Sequence, residues 1–150
     1  MANTQAVAVS FKREILNGIH ALGTTVVRAG TTADTFKAAL FLASATINAS
    51  TATYSTTGEV TGTNYTAGGV TFTWTAPADD GTKSYATPSA SFAWTTVTLA
   101  TAFDCVLLYN STQGNKAIAA YTFGSQTVTA GNFTINMPTN DGTTGLLRIA

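Results

Sequence analysis

The sequence predicts an all-β domain, a two-sheet sandwich or jelly roll, with one short helix at its N-terminus. Three observations lead there. Roughly one residue in five of the 150 is Thr, whose branched Cβ suits a pleated, half-buried surface. After Gly23 the apolar residues recur at every second position, or in short runs broken by Gly, Asn and Asp, which is the period of strands. Only one segment, close to the N-terminus, carries a helical period.

In that segment Val7, Phe11, Ile15 and Ile19 recur every four residues beside Leu16, while Lys12, Arg13, Glu14 and Asn17 fall elsewhere round the wheel. An amphipathic helix is therefore expected over residues 5–17, stopped by Gly18. Its apolar stripe has to lie on the domain's own sheet or on a neighbouring subunit. Strands are expected from residue 24 onward, first at 24–28 and 35–42. Residues 44–69 then form a long polar stretch without a convincing element; a connection of that length in a compact domain is either functional or an ordered surface loop.

The segment V-T-F-T-W-T at 70–75 alternates sharply and reads as a strand with one apolar and one threonine face. Pro77, the turn Asp79-Asp80-Gly81 and Pro88 mark the next connection. Residues 91–99 resume the alternation through Phe92 and Trp94, and slip phase at Thr95-Thr96, where a bulge or bend is expected. Residues 103–109 are continuously apolar and read as a central strand covered on both faces. A Ser/Thr/Gln/Gly-rich turn at 110–115 joins them to a strand at 116–123 in a hairpin. Residues 126–129 and 132–137 read as a second pair across Ala130-Gly131, and 145–149 as the last strand after the turn Asn140-Asp141-Gly142.

The bulk properties narrow the function classes. The length suits one domain spanning residues 1–150, with a core large enough to need no staple. A single cysteine, Cys105, closes no intrachain disulfide and lies in the most apolar stretch, where a thiol is buried and inert. Only 9% of residues are charged and the formal net charge is +0. Such a chain lacks the clustered Lys and Arg that hold nucleic acid or an anionic membrane, so neither is an expected partner. The basic pair Lys12-Arg13 follows the first apolar residues instead of preceding them, so no secretion signal is read and synthesis in a cytoplasm is expected. The Asn-x-Ser/Thr triplets at Asn48, Asn64, Asn110 and Asn132 are then chance products of a Thr-rich chain.

Candidate chemistry is sparse. His20, the only histidine, is expected at the end of the helix in a capping or solvated role. Glu59 paired with Asp104 or Asp34 is a carboxylate arrangement open to acid–base work on a glycan, but with seven acids in 150 residues most are expected to be turn or cap residues. Asp79-Asp80-Gly81 lacks the alternating oxygen ligands of a calcium loop, and Gly68-Gly69 has no Lys-Ser/Thr after it to hold a phosphate. No cofactor and no metal is expected. Trp74 and Trp94 would make a sugar platform if exposed, but both fall in phase with Phe72 and Phe92 and read as core.

Four stretches, taken in order, resemble a known family. They are S-F-K-x-E-I/L-L-N-G-x-H at 10–20, T-F-K-x-A-L at 35–40, Y-S-T-T-G-E-V-x-G-x-x-Y-x-x-G-G at 54–69 and L-L-Y-N-S-T-x-x-N-K-A at 107–117. Together they resemble small virion proteins of tailed bacteriophages, of the capsid decoration or cement type. The resemblance implies a two-sheet β-sandwich of jelly-roll type that binds the outside of a capsid shell. It also implies a non-enzymatic role, a place on the virion surface and the major capsid protein as partner; the sheet edges of so neutral a domain are poorly guarded by charge, so a homo-oligomer, dimer or trimer, is expected to cover at least one of them. A tail- or fibre-associated receptor-binding module that holds a glycan is the alternative. Glu59 and Tyr65 in the long loop are the expected contact residues, with Val7, Phe11 and Ile15 as a second set if the helix docks outward.

Overall fold

The structure is a computed structural model and describes residues 3–8, 10–11, 15, 19–23, 33–80 and 83–149. Among these residues the strands are β1 (Ala6–Val7), β2 (Phe36–Leu42), β3 (Val70–Phe72), β4 (Ala78–Asp79), β5 (Ser84–Ala86), β6 (Phe92–Asn110), β7 (Lys116–Ile135) and β8 (Leu147–Ile149). They form two sheets, ordered β1-β7-β6-β2-β3 and β4-β5-β8, and every pairing is antiparallel. The all-β class and the two-sheet arrangement expected from the Thr-rich alternation are thus present.

The larger sheet is built around the β6–β7 hairpin. Its turn at 111–115 is set by Asn110, whose side-chain oxygen accepts from the backbone N–H of Thr112 and Gln113, both at 3.1 Å. Gly114 and Asn115 supply the left-handed backbone that closes it, with φ of 65° and 58°. The continuously apolar stretch is central as expected: β6 lies between β7 and β2, and Cys105 to Asn110 are buried.

Three expectations need correction. Residues 91–99 and 103–109 are one strand of 19 residues, and the pieces at 116–123, 126–129 and 132–137 merge into one strand of 20 residues. No hairpin forms at Ala130-Gly131. Val97 still faces Gly131 and Leu99 faces Val128, so the extra residues are absorbed as a bulge in β7, with Ala130 at φ 47°. The expected slip at Thr95-Thr96 is a bulge in β6, with Thr96 at φ 52° and its N–H donated to Asn132 Oδ1 at 2.9 Å.

The third correction concerns the N-terminal helix, which does not begin at residue 5. Ala6 and Val7 form β1, in register with Ala120 and Ala119 of β7. A four-residue apolar spacing is a multiple of two as well as close to a helical turn, so it does not separate the two states. Ser10, Phe11 and Ile15 have helical conformation. Residues 12–14 and 16–18, and the expected strand at 24–28, lie outside the described residues.

The buried apolar side chains form one contiguous cluster. Phe36, Phe72, Trp74 and Phe92 meet within it, with ring centroids 5.0 Å apart for Phe72–Phe92 and 5.4 Å for Phe72–Trp74. Trp74 and Trp94 are only 3% and 4% exposed, as their phase requires. Beyond β3 the chain continues to pair: Thr75 N–H donates to Thr87 O at 2.9 Å and Ser89 N–H to Thr73 O at 2.8 Å. That pairing leads from the larger sheet into the segment carrying β5. Among the described residues no helix is long and apolar enough to cross a membrane.

Candidate functional site

Residues 44–69 are ordered against the larger sheet and do not stand away from it. Leu42 N–H donates to Gly58 O at 2.9 Å, Val60 N–H to Leu40 O at 3.0 Å and Tyr54 N–H to Asn115 O at 2.8 Å. Single bridges join Glu59 to Phe41, Thr53 to Lys116 and Thr63 to Thr98. The loop is therefore stitched to β2, β6 and β7 in turn, which satisfies its backbone without strands of its own. It closes at Gly69, whose φ of +73° and position against the Ala38 carbonyl leave no room for a Cβ.

Glu59 organises this region. It is 6% exposed. Its Oε1 accepts from Tyr65 OH at 2.8 Å and from the Gly68 backbone N–H at 2.7 Å, and its Oε2 accepts from Tyr54 OH at 2.6 Å. Tyr65 OH in turn accepts from Leu40 N–H at 3.0 Å, while Tyr109 OH donates to Gly68 O at 2.9 Å. Tyr54 and Tyr109 stack with centroids 4.4 Å apart and planes 7° from parallel. One carboxylate thus fixes both ends of the 54–68 segment and ties it to β2 and β6 through phenols.

The titration of these groups follows from the same contacts. Burial first, then the hydrogen bond to Glu59 and its charge, push the Tyr54 and Tyr65 phenols well above their ordinary value. Tyr109 is pushed up to about 12 by burial and by the Glu59 charge. The Cys105 thiol, 0% exposed, is pushed up to about 12 by burial and the neighbouring Asp104 charge, which fits the inert core role expected for it.

The carboxylates named as possible acid–base partners sit in separate hydrogen-bond networks. Asp104 Oδ1 accepts from Asn3 Nδ2 at 2.6 Å. Asp34, 8% exposed, accepts from Asn110 Nδ2 at 2.7 Å and from Gln113 Nε2 at 3.1 Å. His20 joins this second network, its Nδ1 lying 3.2 Å from Asn110 Nδ2 and its ring edge-on to Phe11 at 4.7 Å. Its position is half-buried, and it contributes to the packing at the turn end of β6. The turn residue Asp80 accepts from Lys83 N–H at 2.8 Å. Among the described residues no group of three or more His, Cys, Asp or Glu side chains is placed to hold a metal ion.

Of the five expected contact residues, Glu59 and Phe11 are buried, at 6% and 0% exposed, and Tyr65, Val7 and Ile15 are half-buried. The structure brings Glu59 and Tyr65 together in one network, whereas Ile15 lines an apolar hollow of about 180 Å³ with Leu22, Tyr85 and Leu147. Sequence reasoning missed Tyr109 and Gly68 as members of the network. It also missed the outer side of β7, for which the absence of any charge between residues 117 and 140 was the available signal.

No protein-family model, curated protein or solved structure matches the chain.

Proposed function

We propose that the chain is a non-enzymatic structural component of a tailed-bacteriophage virion, a capsid decoration subunit made in the host cytoplasm and bound to the outer surface of the head. Its partners in this reading are the major capsid protein and copies of itself. The domain is of jelly-roll type, with a short helix after β1, and it acts by adhesion: modest contacts, repeated by capsid symmetry, hold neighbouring capsid subunits together.

One observation carries the reading. The conspicuous loop and its acid are engaged with the domain's own backbone through Tyr54, Tyr65 and Gly68, while residues 60–77, 84–103 and 117–140 contain no Asp, Glu, Lys, Arg or His. Two of those segments, in β6 and β7, pair directly, which gives that part of the larger sheet a neutral, hydroxyl-rich surface suited to close packing against another protein. The ordered motifs at 10–20, 35–40, 54–69 and 107–117 supply the virion assignment. The glycan-binding alternative is weakened by the burial of Trp74 and Trp94, which removes the rings it relied on.

The test is quantitative mass spectrometry of purified particles. A copy number in the hundreds supports decoration. Absence, or a few copies per particle, refutes it and returns the tail-associated reading.

A further inference from the structure

Among the described residues the outer edge of β7 is paired only near its start. Ala119 and Ala120 pair with β1, and Ala117 N–H donates to Ala52 O at 2.9 Å. From residue 121 to residue 135 the described chain places no strand beyond β7, which pairs there only with β6. That stretch, YTFGSQTVTAGNFTI, holds no charged residue and no proline. Edge strands are ordinarily blunted by Lys, Pro or bulges. Here only bulges are used: the pairing with β6 is unbroken over 133–135, with Phe133 facing Trp94 and Ile135 facing Phe92, and the bulge at Thr95-Thr96 lies opposite residues 131–133.

Exposure of the core-side residues changes abruptly from one strand to the next. On β6, Phe92, Trp94 and Leu99 are 3%, 4% and 1% exposed. Their direct partners on β7, Ile135, Phe133 and Val128, are only partly buried, and among the described residues no strand lies beyond them. The apolar layer therefore runs out to the edge and stops uncovered. Among the described residues this row of backbone donors and acceptors has no strand partner, and an edge flanked by such an apolar layer is a template for another extended strand.

We infer that this strand is the same segment of a second copy, paired antiparallel through residues 131–135 about a two-fold axis at Phe133. In that register Phe133 faces Phe133 of the second copy, Gly131 faces its Ile135, and Asn132 faces its Thr134. The half-buried residues then fall on one face and the exposed Asn132 and Thr134 on the other. A segment with no charge meets its own copy without repulsion, which a charged edge does not do. The inference sharpens the self-association part of the proposed function, but its test uses the isolated chain, so its failure leaves head binding untouched.

The test is sedimentation of the full chain over a concentration series, combined with amide hydrogen exchange. A dimer of twice 15.4 kDa is expected, with exchange at 131–135 slowing as it forms and with little dependence on salt. Thr134→Lys, at an exposed position, weakens dimerisation by about tenfold or more. Thr71→Lys, exposed on β3 at the opposite side of the sheet, leaves it unchanged. A chain that stays monomeric up to about 1 mM overturns the inference. So does a dimer whose protection appears at β3, one broken by Thr71→Lys, or one indifferent to Thr134→Lys.

Discussion

Replacing Glu59 by Ala removes the acceptor from three donors at once: Tyr65 OH, Gly68 N–H and Tyr54 OH. A hydrogen bond to a charged group is worth about 1.5–3 kcal/mol, and a buried donor left without an acceptor costs a similar amount. Tyr54 is only half-buried and regains water. Gly68 N–H is fixed by the backbone, and Tyr65 OH cannot turn away because its oxygen already accepts from Leu40. Counting those two donors gives a loss of about 3–6 kcal/mol, a large part of the roughly 5–15 kcal/mol that holds a domain folded.

Glu59→Gln separates this account from a simple loss of volume. Its carbonyl oxygen takes the place of Oε1, and its amide faces Tyr54, whose hydroxyl is free to reorient as an acceptor. The expected loss is about 1–2 kcal/mol. Urea unfolding followed by the fluorescence of the buried Trp74 and Trp94 measures both variants. A loss below about 1 kcal/mol for Glu59→Ala, or equal losses for the two variants, refutes the claim that this carboxylate organises the loop.

Other consequences follow from particular contacts. Gly69→Ala forces a side chain into a left-handed backbone and onto the Ala38 carbonyl, so a loss of at least about 2 kcal/mol is expected in the same urea assay. Phe103→Ala empties a 0% exposed site beside Phe123 and Phe133 and should cost about 3–5 kcal/mol by thermal or chemical unfolding. Tyr54, Tyr65, Tyr109 and Tyr121 all titrate higher in the folded chain than a free phenol does. Their contribution to stability is complete below the unfolded value of about 10 and is lost as pH rises through the folded values. Ultraviolet titration should therefore show these phenolates appearing together with alkaline unfolding, and Cys105 should remain silent to thiol reagents until the chain unfolds.

Local alternation was the legible part of this fold. V-T-F-T-W-T places Phe72 and Trp74 inside and Thr71 and Thr73 outside, and the phase slip at Thr95-Thr96 marks a real bulge. What the sequence concealed depends on partners distant along the chain. Ala130-Gly131 carries the composition of a turn, but β6 continues opposite it, so cross-strand pairing turns the same residues into a bulge. Val7 and Phe11 share a spacing that suits strand and helix alike, and β7 decides the issue by pairing with Val7. Glu59 was legible as the only acid in its loop. Its burial was not, since that rests on Tyr109 and Leu40 lying beneath the loop, which no local pattern records.

The most direct measurement of the central claim is rebinding. Purified chain is added to phage heads assembled without it, and the bound copies and the temperature at which the heads rupture are both recorded. Saturable binding at lattice-spaced positions, with a higher rupture temperature, is the predicted result. Heads that bind none of the chain, or bind it without any gain in resistance to heat, contradict the account.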